Sequence, residues 1–338
     1  MRSSRFVHAP IPTFVPALVP LCVALVGCAT ADDAPPDAAG AAIGDAPPST
    51  IPRDPAGVFD VTSTFDMPVR EAARPLLAFV QGATRGADDP MRYVLDRLVA
   101  ELPDGSPRTI AELTVPFVAA YLDERLAEVA PRFAPGLHAI ADGITRVATH
   151  VELAESFVVD KSGAAVRTVR GARFDIAPLA PVLAFADHGI ADVAAATRFA
   201  LDREGALAIE RHTIELRHGA LVRLGLDRAV IPTVEPRATD LGTALAVLVD
   251  CDRVGELVAD TLGIGAPALF GTACDAGMAA LADEVYGQIA ALDEVPLVLE
   301  LTGSADGFDV DRNGTLDELR SGQWRGTLAA PFVGARRR

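Results

Sequence analysis

The residues best suited to chemistry lie near the C-terminus. Residues 309–317 are Asp-Val-Asp-Arg-Asn-Gly-Thr-Leu-Asp, so that Asp309, Asp311 and Asn313 alternate with other residues before a glycine and a further acid, Asp317. Such spacing lets a short loop curl around a hard cation, because carboxylates supply charge and oxygen ligands and glycine permits the turn. We therefore predict that these four side chains bind a metal ion, with calcium as the expected cofactor.

The segment resembles the D-x-D-x-[DN]-G-x-x-D calcium loops of thrombospondin type 3 repeats, dockerins and EF-hands. It departs from the EF-hand at the twelfth position, where Arg320 replaces a bidentate glutamate. If calcium binds, the missing ligand implies a weak, extracellular-type affinity of about 10⁻⁴ to 10⁻³ M. The alternative is an empty hairpin, because Asn313-Gly314 between short alternating segments is typical of a two-residue turn. Both interpretations stay open from the sequence.

A second motif ends the apolar N-terminal stretch, which is too short and too rich in proline to span a bilayer comfortably. The tetrapeptide Leu25-Val26-Gly27-Cys28 resembles the lipobox of bacterial lipoprotein precursors. The resemblance implies that residues 1–27 are a signal peptide and that Cys28 carries acyl chains, so that the protein's partner is a membrane.

The same resemblance indicates a location in the bacterial cell envelope. Ala29 follows the cysteine where an inner-membrane retention signal would have aspartate, which favours the outer membrane. Ala29-Thr30-Ala31 also fits the small-x-small pattern of the other signal peptidase, so a secreted protein cleaved after Ala31 is the alternative.

Composition bounds the rest of the chain. Residues 28–55 are almost entirely Ala, Asp, Pro, Gly, Ser and Thr, which predicts a disordered acidic tether after the lipidated cysteine. We expect residues 56–338 to form one large body, with a possible division into two lobes near 200–206. The net charge of −16 argues against nucleic-acid partners, which need a basic patch.

Hydrophobic periodicity predicts both strands and helices in this body. Strands are predicted near 59–65, 151–159, 166–176, 207–232 (two strands folded at 217–219) and 297–301, and helices from 68, over 90–102, 109–130, 135–147 and 240–292, with 178–199 mostly helical. A phase change between Ile209 and Ile214 indicates a bulge or a strand covered on both faces. Hairpins interleaved with helix pairs favour an α+β fold with an antiparallel, curved sheet.

Two cysteines, Cys251 and Cys274, belong to the predicted body. In an oxidising compartment an even pair is expected to form a disulfide. A helical hairpin turning at 263–267 would place both cysteines at similar distances from its turn. Closing the loop between them would stabilise the fold by about 3.4 kcal/mol on the chain-entropy model.

Functions of different classes remain compatible with this sequence. The first is a non-catalytic structural or binding module, displayed on the flexible tether. The second is a carrier of an apolar ligand such as a lipid, in a cavity lined by residues such as Phe157, Leu224 and Leu226. An enzyme is the third, because a hydrolase site assembled from distant segments would leave no local motif. We expect no enzyme, since the sequence carries no recognisable catalytic motif.

Overall fold

The computed structural model describes residues 51–68, 71–85, 105, 109, 120, 130–176, 180–262 and 265–337. Residues 46–338 belong to one compact unit. The lipobox with Cys28, the predicted helix 90–102 and nearly all of the predicted helix 109–130 lie outside the described residues, as does most of the tether.

The strands form a closed antiparallel barrel with one short strand outside it. They are β1 (Gly57–Asp66), β2 (His150–Val159), β3 (Ala164–Arg173), β4 (Leu183–Ala184), β5 (Val193–Leu201), β6 (Ala206–Leu216), β7 (Leu297–Phe308), β8 (Glu318–Gly326) and β9 (Ala330–Arg336). Eight strands follow one another around the barrel, while β4 pairs with β3 from outside. The ring closes where β1 pairs with β9, with Phe59 opposite Arg336.

The described α-helices lie in two insertions between strands. The first contains α1 (Arg74–Arg85) and α2 (Phe133–Thr149); the second contains α3 (His218–Gly225), α4 (Ile231–Val234), α5 (Leu241–Leu248), α6 (Cys251–Leu262) and α7 (Pro267–Ala291). Because neighbouring strands are antiparallel, both insertions leave from the same end of the barrel, at Asp66 and Leu216. We call this the helical end, and the opposite end, at Gly57 and Phe308, the loop end.

None of the described helices combines the length and the apolar character that a membrane crossing requires.

The predicted α+β fold, an antiparallel curved sheet with interleaved helix pairs packed on it, is wrong because the sheet closes on itself into a barrel. One cause is the segment Val193–Leu201, which forms β5 although its alanines favour a helix. Pairing with β3 on one side and β6 on the other overrides that preference. Strand pairing therefore makes β5 part of the barrel, although local helix propensity predicts a helix there.

A second cause lies after β6, where two long strands were predicted. Only β6 is a strand, and α3 begins at His218. The carboxylate of Asp293 accepts hydrogen bonds from the N–H groups of Gly219 at 2.7 Å and Ala220 at 3.1 Å. Asp293 lies more than seventy residues further along the chain, so the sequence around His218 does not indicate that a helix begins there.

Other predictions about the body are confirmed. A disulfide joins Cys251 in α6 to Cys274 in α7, with the Cα atoms 5.5 Å apart. The two helices approach so closely that a Cβ on Gly255 would lie 2.6 Å from the backbone nitrogen of Gly271. In β6 the pairing with β7 shifts register between Ile209 and His212, which is the predicted bulge.

Large aromatic side chains and one ion pair fill the barrel interior. The guanidinium of Arg167 donates to both carboxylate oxygens of Glu155, at 2.9 and 2.6 Å, and lies 4.3 Å from the centre of the Trp324 ring. Both charged side chains are fully buried. The Trp324 ring stacks on Phe332, with ring centres 4.4 Å apart, and its Nε1–H donates to Ser63 Oγ at 2.8 Å.

His212 completes this buried polar cluster as a neutral ring. Its Nε2 lies 2.8 Å from Nη1 of Arg167, which can only donate, so Nε2 accepts. The proton is therefore on Nδ1, which donates to the carbonyl oxygen of Glu210 at 2.9 Å. Burial, together with the nearby positive charge of Arg167, lowers the pKa of His212 below its ordinary value of 6.5.

Acid should destabilise the barrel through His212. Because its pKa is lower in the folded than in the unfolded chain, stability is complete above about pH 6.5 and falls as the pH drops towards the folded-state pKa, by up to about 1.4 kcal/mol per pH unit. His212→Gln keeps an acceptor for Arg167 but does not titrate. Urea unfolding at about pH 7 and about pH 5 should show a smaller acid-induced loss for the variant. Equal losses in the two proteins would contradict this assignment.

Candidate metal centre

The predicted metal-binding segment forms the whole connection between β7 and β8 at the loop end. Phe308 pairs with Glu318 at its base, where the N–H of Asp317 donates to the carbonyl oxygen of Phe308 at 2.8 Å. Arg312 and Gly314 take left-handed conformations, with φ of 62° and 89°. The alternative of a two-residue hairpin at Asn313-Gly314 is therefore wrong, because residues 309–317 all lie outside the strand pairing.

The carboxylates of this loop converge. Asp309, Asp311 and Asp317 each offer an oxygen, and these oxygens lie within 4.8 Å of one another. Oxygens that share a calcium ion at about 2.3 to 2.6 Å can be at most about 5 Å apart. Asp309 is buried, Asp317 is half-buried and Asp311 is exposed, so the cluster reaches from the interior to solvent. This group of acids could hold a metal ion.

Backbone N–H groups of the same loop orient all three carboxylates. Asp311 Oδ1 accepts from the N–H of Asn313 at 3.2 Å. Asp309 accepts from the N–H groups of Asn313 at 3.0 Å and Gly314 at 2.6 Å. Asp317 Oδ2 accepts from those of Val310 at 2.9 Å and Asp311 at 3.3 Å. A carboxylate offers about four lone-pair sites, so these bonds orient the groups and leave acceptor capacity for a cation.

Asn313, the fourth predicted ligand, uses its side chain for hydrogen bonds within the loop. Asn313 Oδ1 accepts from the N–H of Thr315 at 2.8 Å and from its hydroxyl at 2.5 Å. The amide nitrogen of Asn313 donates to Asp311 Oδ2 at 2.9 Å. The side chain of Asn313 thus supports the loop from within.

Arg320, which stands where an EF-hand has its glutamate, directs its charge to another partner. Its guanidinium donates twice to Glu318 Oε2, at 2.8 and 2.5 Å, and lies over the ring of Phe308, 4.5 Å from the ring centre. The arginine charge is therefore matched by Glu318, which reduces its repulsion of a cation in the loop.

The loop also binds the segment that precedes the barrel, a contact that the sequence did not reveal. The carbonyl oxygen of Gly314 accepts from the N–H groups of Arg53 at 2.9 Å and Asp54 at 3.1 Å, and the N–H of Leu316 donates to the carbonyl oxygen of Asp54 at 2.9 Å. Arg53 and Asp54, which composition assigns to the end of the tether, are thus hydrogen-bonded to the loop. No local motif could have predicted this pairing.

The last strand contacts the loop as well. The N–H of Arg336 donates to the carbonyl oxygen of Asp317 at 2.7 Å, and its guanidinium donates to the Thr315 hydroxyl at 2.7 Å. The loop therefore connects residues before β1 with residues at the end of β9.

Gly314→Ala should destabilise the protein. Nothing lies within 4 Å of a Cβ at this position, so the cost comes from the left-handed backbone alone, about 1 to 2 kcal/mol. The control is Gly287→Ala in α7, where a Cβ also meets nothing within 4 Å. That helix position should instead gain about 0.5 to 1 kcal/mol. Urea unfolding measures both, and equal effects on stability would contradict the loop conformation.

No model of a known protein family, no curated protein and no solved structure matches this chain.

Proposed function

We propose that this chain is a lipid-anchored, non-catalytic module of the bacterial cell envelope, in which a calcium ion fastens the end of the tether to the barrel. The observation that carries the proposal is the convergence of Asp309, Asp311 and Asp317 in a loop that is hydrogen-bonded to residues 53–54. The lipobox resemblance at Leu25–Cys28 supports the anchor and the extracytoplasmic location.

The charge and chemistry of the loop support a hard divalent cation. The carboxylates of Asp309, Asp311 and Asp317 repel one another at short distance, and a cation converts that repulsion into attraction. All three donors are oxygens, which suits calcium or magnesium better than a transition metal. Calcium is favoured because it accepts irregular ligand sets, whereas magnesium demands a nearly octahedral one.

The position of the loop supports a role at the attachment point. Residues 51–56 lie at the loop end of the barrel. The turn between β5 and β6 lies there too, where the carbonyl oxygen of Gly205 accepts a hydrogen bond from the N–H of Gly307 in β7 at 2.8 Å. An ion in the loop would stiffen the same backbone that bonds to Arg53 and Asp54. It would therefore stabilise the contact between the loop and the segment that precedes β1.

The filled interior favours a module over a carrier of apolar ligands. Phe157, which would line a lipid cavity, packs in the barrel with its ring centre 5.1 Å from that of Phe199, and Arg167 brings a buried charge to the same space. An apolar cavity between α1, α2, α5 and α7 has a volume of about 20 Å³, below what a lipid chain needs.

Calcium should raise the melting temperature of the wild-type body. At about ten times its Kd, an ion that binds only the native state stabilises it by about 1.4 kcal/mol, or roughly 3 °C for a domain of this size. Asp311→Asn and Asp317→Asn should abolish most of the shift, and both avoid the buried Asp309. Magnesium at the same concentration should produce a smaller shift, because its coordination demands are stricter.

Asp192→Asn is the matched control, since Asp192 is exposed at the helical end. It should keep the full calcium shift. Equal shifts in all variants would show that calcium acts through general charge screening and would refute the site. A larger shift with magnesium would refute the preference for calcium.

The anchor can be tested on the full precursor in a bacterial host. Cys28→Ser should move the protein from the membrane fraction to the soluble fraction or stop its maturation, because the acyl chains supply the membrane affinity. Cys22→Ser lies within the signal segment and should leave membrane attachment unchanged. Normal maturation and membrane retention of Cys28→Ser would contradict the anchor.

A further inference from the structure

A second polar site lies at the helical end, far from the metal-binding loop. A cleft of about 610 Å³ opens between the 3-10 turn Phe185–His188, the first turns of α3 and the last turns of α7. Small-molecule sites commonly have volumes of about 300 to 1,000 Å³. The cleft is therefore large enough for a compact organic ligand.

The acids of the cleft floor are held by the protein itself. Asp293 accepts from the N–H groups of Gly219 and Ala220 and lies 3.4 Å from Arg217 Nη2. Asp227 Oδ1 accepts from the hydroxyl of Tyr286 at 2.6 Å. Both acid side chains are mostly buried, with exposures of 15% for Asp293 and 19% for Asp227. The carboxylates of Asp227 and Asp293 are thus already bonded to groups of the protein.

The basic groups of the cleft are more open. The side chains of Arg217 and Arg223 are 75% and 64% exposed, and each reaches an acid through a single nitrogen. Arg223 Nε lies 3.6 Å from Asp227 Oδ2, and its guanidinium covers the ring of Tyr286 at 4.8 Å. Within the part of the chain that the structure describes, Arg228 and His188 line the cleft without a hydrogen bond or ion pair of their own.

The balance of hydrogen-bond donors and acceptors in the cleft indicates the chemical class of its ligand. Each guanidinium has five N–H donors, and its planar edge matches the two oxygens of a carboxylate or phosphate. With Asp227 and Asp293 occupied, the exposed Asp187 is the remaining acid among the lining residues, and four basic side chains (Arg217, Arg223, Arg228 and His188) face it, so the cleft offers more donors than free acceptors. Leu224 and Ile289, both buried, add apolar surface beside the arginines.

We propose that this cleft binds a small organic oxyanion, a carboxylate or phosphate ester on a compact apolar body, through Arg217, Arg223 and Arg228. The net charge of −16 repels anions from the surface as a whole, so attraction here must come from these local donors. The site gives the module a ligand and does not depend on calcium or on the anchor.

Isothermal titration calorimetry of the soluble body with phenyl phosphate, benzoate and inorganic phosphate tests this assignment. Phenyl phosphate or benzoate should bind saturably, and the stronger of the two identifies the head group. Inorganic phosphate should bind more weakly than phenyl phosphate if the apolar wall contributes. Arg217→Gln/Arg228→Gln should weaken binding by about tenfold or more, because charge-assisted hydrogen bonds are lost.

The control Arg198→Gln/Arg203→Gln removes the same formal charge near the opposite end of the barrel and should bind like the wild type. Melting curves of both double variants verify that each is folded. The proposal is overturned if none of the three probes binds saturably at concentrations up to about 50 mM. A weak site is expected to have a Kd of about 1 mM, well below that concentration. Equal affinity in wild type, cleft variant and control variant would overturn it as well.

Discussion

The pairing of β1 with β9 is the constraint on which the rest of the structure depends. It turns a chain of hairpins into a closed barrel and thereby removes the two open sheet edges that an eight-stranded meander would otherwise expose. Closure also encloses Arg167 and Glu155, whose burial is tolerable because each satisfies the other. Removing one partner of such a pair typically lowers the free energy of unfolding by about 3 to 5 kcal/mol, because the other charge is left buried and unpaired.

Closure has a second consequence at the loop end. Because β1 starts there and β9 ends there, residues before β1 and at the end of β9 meet the connection between β7 and β8. Arg53 and Asp54 bond to Gly314, and Arg336 bonds to Asp317 and Thr315. One acidic loop therefore touches both ends of the barrel chain, which explains why a single ion could influence the attachment point. The cleft proposed to bind an oxyanion lies at the other end, so the proposed attachment point and the proposed ligand site are spatially separate.

Local sequence patterns predicted the parts of the molecule that local chemistry determines. The disulfide between Cys251 and Cys274 and the bulge after Ile209 were recovered. The three acids of 309–317 were recognised from their spacing, and all three converge. Barrel closure was missed, because an alanine-rich strand at Val193–Leu201 and a helix capped by distant Asp293 depend on partners elsewhere in the chain. The cleft was missed for the same reason, since its walls come from separate segments.

Hydrogen–deuterium exchange with and without calcium tests the central claim most directly, because it reports on the tether contact as well as the ion. An ion in the loop should slow exchange of the Asn313 and Gly314 amides and also of Arg53 and Asp54, whose N–H groups bond to Gly314. The helical end should be unaffected. Slower exchange confined to 309–317 would show a metal loop without a fastening role, and unchanged exchange throughout would contradict the account.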